Sequence, residues 1–203
     1  MKTRYYVLIG IFSYLFFTLA TTPAAAVFSL VQKNSQLPFT LHGIDGTLWN
    51  GTAERITIPS APKLTQLSWS LNPFALLLAR VNASVETDIL DNKLTGNISV
   101  NSSGELSGSD IQTRLQGKVV QQLLDLPLGE INGDFKINIE SFELANTLPI
   151  INGNVQWNKA SLTIADTVNL GNVDINIKPA ENNTMNISIN NQGGDLSIEG
   201  QII

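Results

Sequence analysis

Apolar and polar residues alternate with a period of two through most of the chain. The clearest run is DFKINIESF, in which Phe135, Ile137 and Ile139 would face one side and Lys136 and Asn138 the other. The segments LSWSL, VQW, VDINI and MNISI repeat this alternation. Because successive side chains of a β-strand point to opposite faces, the pattern predicts a mainly β protein whose sheet has one apolar and one polar face.

The predicted fold is a curved, mostly antiparallel β-sheet, shaped as a groove or as a sandwich, with one or two short helices. Glycines stand near the predicted strand starts in IDGTLW, LTGNISV, INGDFKI and INGNVQW. A glycine at such a position permits a bulge or a sharp bend, although an ordinary hairpin glycine is the commoner explanation.

Two segments have helical rather than strand spacing. In LNPFALLLAR, Asn72 is a good N-cap and Pro73 suits the first turn, so residues 74–80 are predicted to be helical. In SDIQTRLQGKVVQQLLD, the spacing of Leu115, Val119 and Leu123 predicts a second helix. Either helix could cap an open end of the sheet.

The N-terminal segment is strongly apolar, with no charged residue between Arg4 and Lys33. As a helix, residues 5–26 would cover about 33 Å, close to the roughly 30 Å hydrocarbon core of a bilayer. Lys2 and Arg4 precede this stretch, so an anchor here would keep the N-terminus in the cytoplasm and place the rest outside it. The predicted membrane-anchor residues are Tyr5, Val7, Ile9, Phe12, Leu15, Phe17, Leu19 and Ala26.

A cleaved secretory signal explains the same segment, with an apolar region over residues 7–19 and small residues at Ala24, Ala25 and Ala26. Both interpretations place the sheet outside the cytoplasm. The predicted organisation is a cytoplasmic start and transmembrane anchor over residues 1–30, followed by one β-rich domain over residues 31–203.

Composition argues against several kinds of function. The 203-residue chain has a net charge of −5 and 14% charged residues, so it lacks the basic surface that nucleic-acid binding requires. It contains no cysteine and one histidine, His42, and its acidic residues are scattered. We therefore predict no enzymatic activity, no cofactor, no metal site and no nucleic-acid partner.

Three blocks in order along the chain resemble the type II secretion system protein N family, also called general secretory pathway protein N (GspN). They are GIDGTLWNGTA at residues 43–53, LSWSLNPFALLLARV at residues 67–81 and INGNVQWNKASL at residues 151–162. The residues that carry the resemblance are Gly46, Thr47, Leu48, Trp49, Gly51, Leu67, Trp69, Leu71, Asn72, Pro73, Gly153 and Trp157.

The resemblance implies a single-pass protein of the cell inner membrane with its N-terminus in the cytoplasm and a periplasmic β-rich domain. It implies a non-enzymatic component of the type II secretion system that assists export of folded proteins across the outer membrane and contacts other secretion components. Family members continue for several further strands, so the domain is expected to lack its final strands. The alternative function is a membrane-tethered periplasmic module that binds or shields lipid on its apolar face.

Overall fold

The computed structural model describes residues 2–34, 39–59, 62–76, 78–125, 129–144, 149–164, 166–180 and 184–202. Two helices, α1 (Lys2–Ala20) and α2 (Ala24–Asn34), precede the strands. The strands are β1 (Thr40–Gly46), β2 (Asn50–Thr57), β3 (Leu64–Leu71), β4 (Arg80–Ile89), β5 (Asn92–Asn101), β6 (Leu106–Gln116), β7 (Glu130–Leu144), β8 (Ile150–Thr163), β9 (Thr167–Pro179), β10 (Met185–Gln192) and β11 (Glu199–Ile202). Two short helices, α3 (Pro73–Leu76) and α4 (Gly117–Leu123), follow β3 and β6.

All eleven strands form one antiparallel sheet in which each strand pairs with its neighbours in sequence. The mainly β, antiparallel prediction is confirmed. The sandwich form of that prediction is wrong for the described residues, because their strands form a single up-and-down meander and leave no second sheet to pack against it. Successive turns of such a meander lie at alternate ends of the sheet.

Residues that face each other across the ladders share one face of the sheet, and the predicted sorting of polar and apolar residues follows from their register. On the apolar face, one row crosses six strands: Leu94, Thr113, Ile137, Val155, Ile175 and Ile189. On the opposite face, the adjacent row consists of Gln112, Asn138, Asn154, Asn176 and Ser188.

Polar residues on the apolar face have their hydrogen-bonding groups satisfied by the backbone. The hydroxyl of Thr87 donates to the carbonyl of Thr65 at 2.8 Å, and that of Thr113 donates to the carbonyl of Lys93 at 2.9 Å. These hydroxyls are partnered without water, so the face stays apolar despite its threonines.

Register shifts interrupt four of the ladders and bend the strands concerned. Gly96, Gly133 and Gly153 of the sequence pattern lie at or beside these irregularities, whereas Gly46 ends β1. Gly133 and Gly171 lie inside β7 and β9 with φ of 105° and 74°, a conformation that favours glycine. Gly153 also lies inside its strand, so the prediction of glycines at strand starts is wrong for Gly133 and Gly153.

Buried residues concentrate where a helix or loop covers one end of the apolar face. Ala24 of α2 packs with Leu41, Ala53, Ile56 and Trp69 over β1–β3. At the other side, Ala160, Leu170 and Val173 form a second cluster, with Ile198 of the β10–β11 connection packed against it. Between these two clusters in the described chain, Thr87, Thr113 and Leu115 are buried singly, while aliphatic residues of the same face, such as Ile137 and Ile139, are half-buried.

The helices are shorter than the sequence predicts. α3 ends at Leu76, and Arg80 already begins β4, so the helix predicted over residues 74–80 is wrong in its second half; Leu77 lies outside the described residues. The second predicted helix is also wrong in its first half. Leu115 belongs to β6, where Thr113 and Leu115 lie buried at a spacing of two, and only α4 is helical.

The single helix predicted over residues 5–26 is wrong as well. α1 ends at Ala20, and α2 begins at Ala24. Pro23 explains the break, since proline offers no backbone N–H and disfavours helical geometry at the preceding residue, Thr22. Among the residues described, no helix combines the length and the apolar character needed to cross a membrane.

We predict that Gly153→Ala destabilises the sheet by about 1–3 kcal/mol through overpacking. A Cβ there would lie 2.7 Å from Cδ1 of Ile139 and 2.8 Å from the carbonyl oxygen of Asn138. The matched control is Gly200→Ala in β11, where a Cβ meets nothing within 4 Å. Urea denaturation of the full chain in mild detergent measures both, and equal midpoints for the two variants would contradict the prediction.

Candidate functional site

Ten of the twelve residues that carry the family resemblance lie together at one corner of the sheet. They occupy the end of β1, the β1–β2 turn, the start of β2, and β3 with the first residues after it. In the turn, Gly46 has φ of 83°, and the Thr47 amide donates to the carbonyl of Asn50 at 2.9 Å. The turn is therefore closed on itself and presents Leu48 and Trp49 outward.

This turn binds the connection between α1 and α2, which we call the elbow (residues 19–24). The indole N–H of Trp49 donates to the carbonyl of Leu19 at 2.8 Å, and the Leu48 amide donates to the carbonyl of Thr22 at 2.9 Å. The last carbonyls of a helix have no partner within the helix. The turn supplies donors to the carbonyl of Leu19 near the end of α1, which also accepts the Thr22 amide at 3.3 Å, and to the carbonyl of Thr22 just beyond it. It therefore binds the end of the helix that Pro23 interrupts.

Trp69 lies beneath this contact and is buried. Its indole N–H donates to the carbonyl of Leu48 at 3.0 Å, and its ring packs edge-on against Phe28 of α2 at a centroid distance of 5.6 Å. Gly51, opposite Trp69 in the ladder, leaves room for the ring, because a Cβ at Gly51 would overlap Trp69 Cζ2. Two indoles thus hold the elbow to the first three strands.

The third strand of the corner leads into the α3 segment. The Leu71 amide donates to the carbonyl of Trp49 at 2.7 Å, which links this segment to the turn that binds the elbow. Asn72 then accepts the Phe74 amide on its side-chain oxygen at 3.0 Å, as the sequence-based N-cap prediction requires. Leu67 packs against the buried cluster of the same corner.

The remaining two residues of the resemblance, Gly153 and Trp157, lie apart from this corner on β8. Trp157 stacks on Phe135 with a centroid distance of 4.9 Å and donates its indole N–H to the carbonyl of Asn132 at 2.8 Å. Both residues therefore serve the packing of β7 against β8. Trp49, in contrast to the sequence-based expectation, lies in a turn rather than a strand.

Seven of the eight predicted anchor residues lie on α1, and Ala26 lies on α2. The large side chains of α1 are exposed on all sides of the helix, including Tyr6, Phe12 and Phe17. A helix that is apolar around its whole circumference suits an apolar environment. The elbow thus joins this helix to the sheet.

The ionisable residues form no comparable site in the part of the chain that the structure describes. His42 lies exposed on β1. No group of three or more histidine, cysteine or acidic side chains in that part could hold a metal ion. The carboxylates accept hydrogen bonds from neighbours, as Glu140 does from the amide of Asn152 at 2.8 Å and Asp110 from that of Asn97 at 3.2 Å.

The fold defines a single-sheet β-meander protein. Most of the residues that carry the family resemblance lie at the corner of the sheet that binds its N-terminal helices. The sequence model of the family described as type II secretion system (T2SS), protein N matches residues 38–203, which include all eleven strands. The type II secretion system protein N of Aeromonas hydrophila is 30% identical over 175 residues, covering 81% of this chain and 66% of the relative. No solved structure matches the chain.

The chain therefore belongs to the type II secretion system protein N family, and the resemblance seen in the sequence is confirmed. It spans just under two thirds of the length of the Aeromonas hydrophila relative.

We predict that Trp49→Phe loosens α1 from the sheet, because phenylalanine keeps the ring but has no N–H for the Leu19 carbonyl. The matched control is Trp157→Phe, which loses an equally short bond far from the elbow. Each variant is expected to lose about 0.5–1.5 kcal/mol of stability from one hydrogen bond. Only Trp49→Phe is expected to change the position of α1.

Spin labels on cysteines introduced at Tyr14 and Arg55 measure that position in the full chain, which has no cysteine of its own. The distance distribution should broaden in Trp49→Phe and keep its width in Trp157→Phe. Equal widths in both variants would show that the indole bond does not hold the elbow.

Proposed function

We propose that the protein is a non-enzymatic component of the type II secretion system that is held in the inner membrane by its N-terminal helix and contacts other secretion components through its periplasmic sheet. Membership of the family supports the link to secretion. The observation that carries the rest is the elbow, which binds an exposed apolar helix to one corner of an extended sheet.

The apolar surface of α1 supports the membrane part of the proposal. Twelve large apolar or aromatic side chains between Tyr5 and Leu19 are exposed. Removing one such side chain from water is worth about 1.5–3 kcal/mol, so α1 gains greatly from leaving water. Lys2 and Arg4 precede the apolar stretch, which favours a cytoplasmic N-terminus and a sheet in the periplasm.

The single-layer sheet supports the contact part of the proposal. Apart from α3, which packs against β4, and α4, which packs against β6 and β7, the described chain places no layer over β4–β7, so much of both faces is accessible to partners. One row of the polar face offers amides and hydroxyls from Ser84, Asn97, Ser109 and Ser141, and neighbouring rows add charged side chains that include Glu86, Lys93, Arg114 and Lys136. These groups suit a contact made through many hydrogen bonds.

We predict that photocrosslinking in intact cells joins the sheet to secretion components. A photoreactive residue replaces Ser70 or Gln156 on the polar face, and Val155 on the apolar face serves as the matched control next to Gln156. Adducts to secretion proteins from one face and not the other are expected, because a partner covers only one side of a sheet. Absence of such adducts from all three positions would contradict the proposal.

A second candidate function is the binding or shielding of lipid, and the half-buried aliphatic residues in the middle of the apolar face favour it. Ile111, Ile139, Ile177 and Ile187 lie in one row on that face and none of them is buried. Their lateral contacts leave an aliphatic surface of the kind that an acyl chain would cover. Accessible apolar surfaces that are contiguous commonly mark interaction sites.

We predict that Val155→Asn lowers the amount of lipid that copurifies with the full chain in mild detergent several-fold, because it puts an amide into the aliphatic face. Gln156→Asn is the control, since its side chain lies on the polar face of the same strand. Mass spectrometry of bound lipid measures the difference, with circular dichroism to verify folding. Lipid-free protein in the unsubstituted chain would rule out this second function.

A further inference from the structure

The segment between β3 and β4 exposes an unusual amount of apolar surface. Phe74 is 74% exposed and Leu78 is 75% exposed, and Leu76 and Val81 are exposed beside them. Outside α1 and α2, these four account for nearly half of the large apolar side chains exposed in the described residues. Their concentration within eight positions distinguishes this segment from the scattered exposed side chains found on most proteins.

The backbone of this segment is fixed rather than loose. Its first turn is capped by Asn72, Ala75 is buried and holds the turn against the sheet, and the Leu78 amide donates to the carbonyl of Ala75 at 3.0 Å. The Ala79 amide donates to the carbonyl of Leu76 at 3.0 Å before β4 begins. The structure therefore holds Phe74 and Leu78 outward.

The segment lies at the same end of the sheet as the elbow. In an up-and-down meander, the β1–β2 and β3–β4 connections leave the sheet at one end, and the β8–β9 connection leaves it at the other. The Leu71 amide bonds directly to the carbonyl of Trp49, whose indole holds Leu19 at the end of α1. The exposed apolar side chains and the end of α1 are thus joined through a single residue.

We propose that residues 73–76 and 78–81 form a second membrane contact, in which Phe74 and Leu78 enter the interfacial region of the bilayer that receives α1. The proposal rests on the proposed function in that it takes α1 to lie in that bilayer. The exposed guanidinium of Arg80 complements anionic lipid headgroups, and its stem can extend along the acyl boundary. Aromatic and leucine side chains flanked by a basic residue are typical of interfacial contacts.

The consequence is a two-point attachment. A helix alone leaves the sheet free to rotate about the helix axis, whereas a second contact two strands further along the sheet removes that freedom. The β1–β4 corner would then face the membrane, and the strands from β5 onward would project from it. The attachment would set which direction each face of the sheet points.

Fluorescence quenching in vesicles tests the proposal. Because the full chain has no cysteine, the single variants Leu78→Cys, Ile164→Cys and Phe12→Cys each carry one environment-sensitive label. Ile164 is the matched control, since it is 73% exposed but lies in the β8–β9 connection. Vesicles of phosphatidylethanolamine and phosphatidylglycerol carry quenchers either near the headgroups or deep in the acyl region.

The expected result is strong quenching at position 78 by the shallow quencher, several-fold above that at position 164, and quenching at position 12 by the deep quencher. Adding Phe74→Ser should reduce the quenching at position 78 and leave that at position 12 unchanged. Quenching at 12 without quenching at 78 would overturn the second contact and leave the anchor standing. Absence of quenching at 12 would overturn the anchor itself.

Three other outcomes also overturn the proposal. Equal quenching at positions 78 and 164 would mean that the sheet collides with vesicles without a preferred orientation. Protection of position 78 that appears only when other secretion components are added would assign the exposed side chains to a protein partner. Concentration-dependent energy transfer between labels at position 78 in detergent would show contact between two copies of the chain. It would assign the exposed apolar side chains to self-association.

Discussion

Most of the described sheet has no second layer packed on it, and this determines where side chains are buried. Each strand of the meander contacts only its neighbours in sequence, and the alternation of side chains collects the aliphatic residues on one face. A sheet normally buries such a face against another layer. Here α2 covers one end of the face, the β10–β11 connection covers the other, and α4 packs against β7. The two clusters of buried residues lie at the ends, and Thr87, Thr113, Leu115 and Ile131 are buried singly between them. Most other apolar side chains of the intervening strands are half-buried and rely on ladder hydrogen bonds and lateral contacts.

The elbow supplies hydrogen-bond donors to backbone carbonyls at the end of α1. The final carbonyls of α1 need donors, and Thr22 donates its own hydroxyl to Thr18 while Trp49 supplies a donor for Leu19. The Gly-Thr-Leu-Trp sequence is therefore best understood as a device that builds a tight turn and aims an indole at the helix end. Its glycine is needed for the turn, and the later Gly51 is needed for the space that Trp69 occupies.

Much of the sheet could be predicted from the sequence because the alternation of apolar and polar residues is a local signal. This alternation places Ile137 on the apolar face and Asn138 on the polar face. The elements that could not be predicted depend on competition between local signals or on distant contacts. Leu115 fits a helical stripe with Val119 and a strand alternation with Thr113 equally well, and pairing with β7 decides for the strand. The role of Trp49 was beyond local reasoning, since its partner lies thirty residues away.

The same nearest-neighbour architecture determines how the two ends of the protein can act on each other. In a meander, a change at one strand reaches another only through the intervening ladders, much as in repeat proteins whose units contact only their neighbours. The elbow involves β1–β3, while the second buried cluster involves β8–β10, and several strands without a buried cluster separate them. Opening of the distal strands would therefore leave the elbow and α1 in place, so the proposed attachment through α1 does not depend on the distal strands.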